Sequence, residues 1–339
     1  MTTKIEWTDE TWNPVTGCTP ISDGCKHCYA RRMANRLAGR AGYPKENPFA
    51  ITRHPGRYGQ PFGWAKRRVV FVCSMGDLFH EDVDPGWIAA VLGACSFAGE
   101  HTFLLLTKRP GRMRQWFKDH DLADCQAEFL ARDAYTPAAE FMIQQDERFA
   151  GKPALRDLHN RGINGARPHP LGGPAPWPLP NVWLGTTVEN QQAASTRIPE
   201  LLSTPAAVRF VSCEPLLERV DITAYVDDLD WIIVGGETGP GSRPMAAPWA
   251  RTLRDDAAWA RVPFFFKSWG DWVPLDQFRH SADGGDDEAG TLLNLTRLGA
   301  RSQDLEGQPT FRVGKPRAPK SLDGVIHAQR PKPELEPAR

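Results

Sequence analysis

Trp231-Ile-Ile-Val234-Gly-Gly-Glu237 is a short apolar run that stops on two glycines and a carboxylate. A strand with one wet face would alternate apolar and polar residues. A continuous apolar run this short instead fits a strand buried on both faces, as in a parallel sheet covered by helices. The same form recurs in Val69-Val-Phe-Val-Cys73, Phe103-Leu-Leu-Leu106, Val182-Trp-Leu184, Val208-Arg-Phe-Val211 and Pro263-Phe-Phe-Phe266. Helix-length stretches lie between several of them, at residues 85–98, from 112–117 onward, at 191–202 and at 248–260; the first and last open on Pro, which suits a first helical turn. Strand–helix alternation predicts an α/β fold with parallel strands, a (β/α) barrel or partial barrel of roughly six to eight units. An open doubly wound sheet is the alternative.

The barrel domain is expected over residues 1–275, with 119–180 as an insertion. Its first part, 119–149, reads as polar helix, and its end, Arg167-Pro-His-Pro-Leu-Gly-Gly-Pro-Ala-Pro-Trp-Pro-Leu-Pro180, as a stiff connector that can form neither helix nor central strand. Residues 276–339 read as an irregular C-terminal extension with a disordered tail. Lys/Arg and Asp/Glu balance at 41 each, so net charge alone argues for no polyanionic partner. The distribution is uneven: residues 1–72 carry twelve basic against five acidic side chains, and 312–332 carry six against Asp323 alone. Two basic ends are either solvated surface or an edge facing a nucleic acid or other anion. No apolar run approaches membrane-spanning length and the N-terminus has no apolar leader, so a cytoplasmic protein is expected. There, seven cysteines are thiols or metal ligands rather than disulfides.

Three of them crowd into Cys18-Thr-Pro-Ile-Ser-Asp-Gly-Cys25-Lys-His-Cys28-Tyr29, just ahead of a helix whose Ala30, Met33, Ala34, Leu37 and Ala38 share one face. Three thiolates on one loop can hold three irons of a cubane cluster and leave the fourth iron open. Zinc is the competing occupant, with His27, His54 or His80 as fourth ligand. No second Cys-x2-Cys pair supports it. Cys73, Cys95, Cys125 and Cys213 stand apart, and Cys73, Cys95 and Cys213 read as core thiols.

Working residues of parallel α/β folds sit where strands end. The ends here are Ser74-Met-Gly-Asp77-Leu-Phe-His80-Glu81, Thr107-Lys108-Arg109-Pro110, Thr186-Thr-Val-Glu189-Asn190, Ser212-Cys-Glu214-Pro215, Gly235-Gly236-Glu237-Thr238 and Lys267-Ser-Trp-Gly270. If the strands share one barrel, these charged groups converge on one mouth beside the cysteine loop.

These blocks, with Trp12-Asn-Pro-Val-Thr-Gly-Cys18, Leu106-Thr-Lys-Arg-Pro110, Trp183-Leu-Gly-Thr-Thr-Val-Glu-Asn190, Glu214-Pro-Leu-Leu217 and Phe264-Phe-Phe-Lys267, resemble a phage and bacterial family described as radical-SAM-like for its three-cysteine motif. The resemblance spans about residues 5–273, with an echo at Gly314-Lys-Pro-Arg-Ala and Leu322-Asp-Gly324. It implies a 4Fe–4S cluster on Cys18, Cys25 and Cys28, S-adenosylmethionine on the open iron, and hydrogen abstraction from substrate by a 5′-deoxyadenosyl radical. It also implies a reductant such as flavodoxin or ferredoxin, a neighbouring-gene partner, and the host cytoplasm for a phage-encoded member. Two features depart from the general radical-SAM pattern. Six residues rather than three separate the first two cysteines, and Gly235-Gly236-Glu237 comes late in the chain rather than after the second barrel strand. Ser74 and Asp77 are therefore candidate S-adenosylmethionine contacts beside Gly235, Gly236 and Glu237, and Glu189, Asn190 and Glu214 are candidate acceptors for its ribose or amino group. Lys108, Arg109 and Lys267 are candidates for an anionic or nucleic-acid-related substrate or for the cofactor carboxylate. The two glycines equally suit a tight turn. Two other readings remain: a non-catalytic binding protein with a structural iron–sulfur or zinc site, and an iron–sulfur enzyme that does not use S-adenosylmethionine.

Overall fold

The computed structural model describes residues 3, 5–131, 177–281, 283–285 and 287–332. Along the chain, β1 (Glu10–Trp12) and β2 (Val15–Thr16) precede the cysteine loop, α1 (Tyr29–Arg36) and β3 (Thr52–Arg53). Then come β4 (Val69–Val72), α2 (Pro85–Phe97), β5 (Thr102–Thr107), α3 (Pro110–Asp119) and α4 (Leu122–Ala131). The second half supplies β6 (Val182–Thr187), α5 (Gln191–Leu202), β7 (Val208–Cys213), β8 (Trp231–Gly235), α6 (Ala247–Ala260) and β9 (Phe264–Ser268). It closes with β10 (Trp272–Pro274), α7 (Leu275–Phe278), α8 (Glu288–Arg297), β11 (Arg301–Leu305) and β12 (Gln308–Arg312).

Among the described residues the main sheet has seven strands, all parallel, in the order β1-β4-β5-β6-β7-β8-β9. Each of the six apolar runs is one of these strands. Because spatial order follows chain order, every crossover returns on the same side. Val70, Val72, Phe103, Leu105, Leu184, Val211, Val234 and Phe266 pack with Ile88, Leu92, Ile198 and Leu253 of the helices in one core. The opposite face holds a second cluster with no helix residue in it: Phe71, Leu104, Trp183, Phe210, Trp231, Ile233 and Phe265 around Trp7. The sheet curls over that aromatic cluster as a half-barrel, its edge strands β1 and β9 unpaired with each other. This excludes the doubly wound alternative, which needs helices on both faces. Gly185 makes the curl possible: a Cβ there would stand 2.5 Å from the Phe210 ring.

β1 went unread because Glu-Thr-Trp is short and lacks an apolar run. Met33, expected on the buried face of α1, is 42% exposed; Ala30 and Ala34 carry that packing. The insertion begins as structure integral to the barrel. α4 lies so close on α2 that a Cβ on Gly93 would meet the Cys125 carbonyl oxygen at 2.2 Å. Residues 132–176, with most of the expected polar helix and connector, lie outside the described residues, as does the tail 333–339.

Within 276–339, read as an irregular extension, the described residues up to 312 hold regular elements. β11 and β12 form a hairpin and β12 pairs antiparallel with β10. Glu306 (φ 53°) and Gly307 (φ 75°) supply the two left-handed residues that a tight hairpin turn requires. β11 is exposed almost throughout, so no apolar alternation announced it. Beyond the hairpin the chain runs along β9: Phe266 N–H donates to His327 O (2.9 Å), Gln329 N–H donates to Phe264 O (3.2 Å), and Phe265 pairs antiparallel with Ala328. Arg330 then donates to Glu6 O (2.9 Å) on the β1 side. The open seam of the half-barrel is thus laced by the chain's own C-terminal segment. No helix among the described residues is long and apolar enough to cross a membrane.

Asp323 anchors that segment. It accepts from Arg251 Nη2 (2.6 Å), Arg254 Nη1 (2.7 Å) and Gln277 Nε2 (2.8 Å), and its own N–H donates to Gln277 Oε1 (2.8 Å). The Arg251 hydrogen bonds, then those from Arg254 and Gln277, hold its carboxyl well below the usual range against the opposing effect of burial. A depressed carboxylate stabilises fully above its unfolded value and loses that effect as pH falls below it. The melting-temperature gap between the wild-type chain and Asp323→Asn should therefore be widest near neutrality and close as pH drops below about 4. A gap that persists unchanged into acid would refute the anchor. Gly185→Ala should cost about 1–3 kcal/mol by overpacking against Phe210, read by denaturant titration; a neutral effect would contradict the close contact.

Candidate functional site

The cysteine loop crosses the C-terminal ends of the parallel strands. Gly17 launches it. Its φ is +94° and a Cβ would lie 2.1 Å from Ala50 O, so only glycine fits between the backbones. Its N–H donates to Met75 O (3.0 Å), just past β4. From there Cys18 begins the loop, Cys25 ends a short 3₁₀ turn, and Cys28 is the N-cap residue of α1. All three thiols are free and half-buried. The next residue, Tyr29, donates its hydroxyl to Ser74 O beyond the end of β4.

Arg109, at the end of β5, is the centre of the arrangement. Its Nε donates to both Glu81 oxygens (2.8 Å each), Nη1 to Asp77 Oδ2 (3.1 Å) and to Cys18 Sγ (3.5 Å), and Nη2 to Thr19 O and Oγ1 (3.2 Å each). Asp77 is filled from other sides as well, accepting from Thr107 Oγ1 (2.7 Å), Phe79 N–H (3.0 Å) and Lys108 N–H (3.2 Å). Side chains of Arg109 and Asp77 are 4% and 7% exposed, so this is a buried pair with nearly every polar atom engaged. His80 adds a second tie to Thr19. Its Nδ1 accepts from Asp82 N–H (3.1 Å), so Nε2 carries the proton and donates to Thr19 Oγ1 (2.7 Å).

Other strand ends repeat the device. Glu189, fully buried after β6, is clamped by Arg197 (2.7 and 3.2 Å), and its side chain packs on Gly24 of the loop, where a Cβ would lie 3.3 Å away. Glu237, after β8, holds Arg243 through Nη2 (2.6 Å) and Nε (2.9 Å), and Arg243 Nη2 also donates to Asp23 O of the loop (3.0 Å). On the concave face, Glu214 pairs with Lys267 Nζ of β9 (2.6 Å) and accepts from Trp7 Nε1 (3.3 Å) and Ser212 Oγ (3.4 Å). Gly235 leaves the room for it, since a Cβ would come within 2.7 Å of Glu214 Oε1. Gly236 lets the Trp269 carbonyl approach, where a Cβ would stand 2.0 Å from its oxygen.

The predicted convergence is therefore present, and the carboxylates named as candidate cofactor contacts are engaged by protein partners. Asp77, Glu189 and Glu237 are bound to arginines. Ser74 donates to Asn13 Oδ1 (3.3 Å), and Asn190 caps α5 by accepting from Ala193 N–H (2.8 Å). Arg109 is closed to an anion. Glu214, Gly235 and Lys267 remain on the concave side of the mouth, and Lys108 has no hydrogen-bonded or ion-paired side-chain partner among the described residues. Arg197, Arg243, Trp7 and Tyr29 were not singled out in advance. Only Tyr29, directly after the last cysteine of the motif, carried a local signal.

Electrostatics divide the cysteines. Burial, then the Asp77 carboxylate, push the Cys18 thiol up to about 11, with Arg109 opposing. Burial also opposes ionisation of Cys25, but hydrogen bonding from Ile21, the Lys108 charge and Ser22 outweigh it, so that thiol falls below its ordinary value. Cys73, Cys95, Cys125 and Cys213 are buried, and burial pushes each of them up. The first, second and fourth bear out the expectation of core thiols. Three free thiols on one loop, with Arg109 donating to one sulfur and Lys108 beside another, fit the donor chemistry of an iron–sulfur cluster. The side chains are not gathered into a ligand set: among the described residues no three of His, Cys, Asp and Glu converge on a metal position. Zinc would need a histidine, and His54 and His80 are already hydrogen-bonded to Thr16 (2.8 Å) and Thr19 (2.7 Å), while His27 packs against Gly241, where a Cβ would lie 2.7 Å away.

Arg109→Ala strands the buried Asp77 and should destabilise the chain by about 3–5 kcal/mol in denaturant titration. Arg109→Lys should recover only part, because one ammonium cannot span Glu81, Asp77 and Thr19. A loss below about 1 kcal/mol in the alanine variant, the range of a surface ion pair, would refute the central role given to Arg109.

A search of the curated proteins returned no match, and neither did a search of the solved structures. Residues 2–331 match the family described as a protein of unknown function, DUF5131, and the chain therefore belongs to that family.

Proposed function

We propose that the chain is a radical-SAM-type iron–sulfur enzyme, with Cys18, Cys25 and Cys28 holding a 4Fe–4S cluster at the mouth of the half-barrel. The observation that carries this reading is the seat of the three-thiol loop, tied by Arg109, Glu189 and Arg243 across the ends of β5, β6 and β8. Three thiolates leave one iron open to a small ligand. When bound, the cluster and S-adenosylmethionine supply one-electron sulfonium cleavage and hydrogen abstraction, with the electron from a donor such as flavodoxin or ferredoxin. The chain's own part is positional. Arg109 and Arg243 fix the loop backbone, the aromatic cluster around Trp7 fills the half-barrel beneath the mouth, and Lys267 and Glu214 line its concave side. The substrate class that suits this lining is an anionic or nucleic-acid-related molecule, and the working compartment is a reducing cytoplasm.

A purely structural metal is disfavoured, because the loop is already fastened by protein contacts without one. An iron–sulfur enzyme that does not use S-adenosylmethionine is the second reading. It is favoured by the arginine clamps on Glu189 and Glu237, which leave those carboxylates no free oxygen for an amino group.

Anaerobic reconstitution should give about four irons per chain and, with S-adenosylmethionine and a strong reductant, 5′-deoxyadenosine. Zinc retained until denaturation in place of iron would overturn the proposal. Iron without nucleoside formation would favour the second reading. Cys25→Ala should abolish the cluster absorbance while Cys125→Ala, a core change, leaves it; equal loss in both would refute the ligand assignment.

A further inference from the structure

Gly314-Lys-Pro-Arg-Ala318 is far from the cysteine loop in sequence, but the fold brings it to the end of β9. Asp271 makes this turn. Its carbonyl accepts from Val313 and Gly314 N–H (3.0 Å each), its Oδ1 from Lys315 N–H (3.2 Å), and its Oδ2 from Gly239 N–H (3.0 Å) and Arg312 (3.3 Å). Lys315 is thereby held by its backbone while its side chain is half-buried. The charges acting on that ammonium are Lys267 first, then Glu6, Glu214 and Lys320. Both carboxylates are already engaged: Glu214 by Lys267 at 2.6 Å and Glu6 by Lys320 at 2.9 Å. Lys315 itself has no hydrogen-bonded or ion-paired side-chain partner among the described residues. Lys267 and Lys320 are thus each matched to a carboxylate, and the half-buried Lys315 is left without one among the described residues.

A half-buried cation with no paired carboxylate is unfavourable unless an anion completes the site. Burial first, and the Lys267 charge second, accordingly lower Lys315 below the ordinary lysine value. Arg312, the last residue of β12, has its guanidinium turned to Asp271 and Gly239 and does not compete for the position. We propose that Lys315, with Lys267, forms an oxyanion-binding subsite at the edge of the mouth, taking a phosphate or carboxylate group. The segment that follows β12 is then part of the binding site. This does not depend on the iron–sulfur reading, because the subsite uses none of the cysteines.

The test is reductive methylation of the full chain, with and without reconstituted iron, mapped residue by residue by mass spectrometry. Inorganic phosphate and acetate are the probes, each compared with chloride at matched ionic strength. Lys315 should be protected several-fold by at least one probe, whereas Lys66, exposed ahead of β4, should not respond. Protection by phosphate alone assigns a phosphoryl group, and by acetate alone a carboxylate; either supports the subsite. By calorimetry, Lys315→Ala should weaken binding of the protecting anion by about tenfold, the effect of one charge-assisted hydrogen bond, and Lys315→Arg should largely retain it. No protection by either anion, equal protection at Lys66, or an affinity untouched in Lys315→Ala would overturn the proposal. If Lys315→Ala does not fold, the footprint on the unaltered chain decides.

Discussion

Arg109 and Asp77 are a buried guanidinium–carboxylate pair, and the placement of the cysteine loop follows from it. A loop crossing the ends of a parallel sheet has few backbone partners of its own, yet its polar groups must still be satisfied where they are covered. Arginine suits that task, since one planar fork can neutralise a carboxylate on one side and donate to a carbonyl on the other. Arg109 does so between Asp77 and Thr19, and Arg243 does so between Glu237 and Asp23. In the Arg109–Asp77 pair neither charge is tolerable alone at this depth, so the loop and the strand ends order each other.

Beneath that polar layer the half-barrel is full. Trp7 lies among Phe71, Phe210 and Trp231, with ring centroids 4.8–6.4 Å apart, and its indole N–H rises to Glu214. The aromatic body is thus inside the apolar floor and its one polar atom is at the mouth, the division of labour for which tryptophan is suited. Among the described residues the concave face of the sheet is thus filled by aromatic side chains, and its polar groups stand at the strand ends.

Much of this was legible before any coordinates. Six continuous apolar runs became six strands of the main sheet, and residues 191–202 became α5 without adjustment. Where the reading failed, the cause was physical. β1 is three residues long and carries no hydrophobic run, and β11 is solvent-exposed, so burial left no imprint on either sequence. The strand-end carboxylates were located correctly, but their partners could not be read. Arg109 and Thr19 are 90 positions apart, and Arg243 and Asp23 are 220 apart, so no local pattern joins them. Gly235 and Gly236 illustrate the same limit. Each is glycine because something distant in the chain, the Glu214 carboxylate or the Trp269 carbonyl, occupies the place of its Cβ.

The strap along β9 has a consequence for how the molecule comes into being. The bond from Arg330 to Glu6 joins positions 324 residues apart, and the segment after β12 brings the Lys315 backbone to Asp271, just past β9. During vectorial synthesis the sheet could assemble strand by strand, each new one docking on its predecessor. Its exposed β9 edge would then wait for residues 327–330 to be made. Until that moment the nascent chain would carry an unpaired strand edge and an unfinished mouth, a state open to edge-to-edge association.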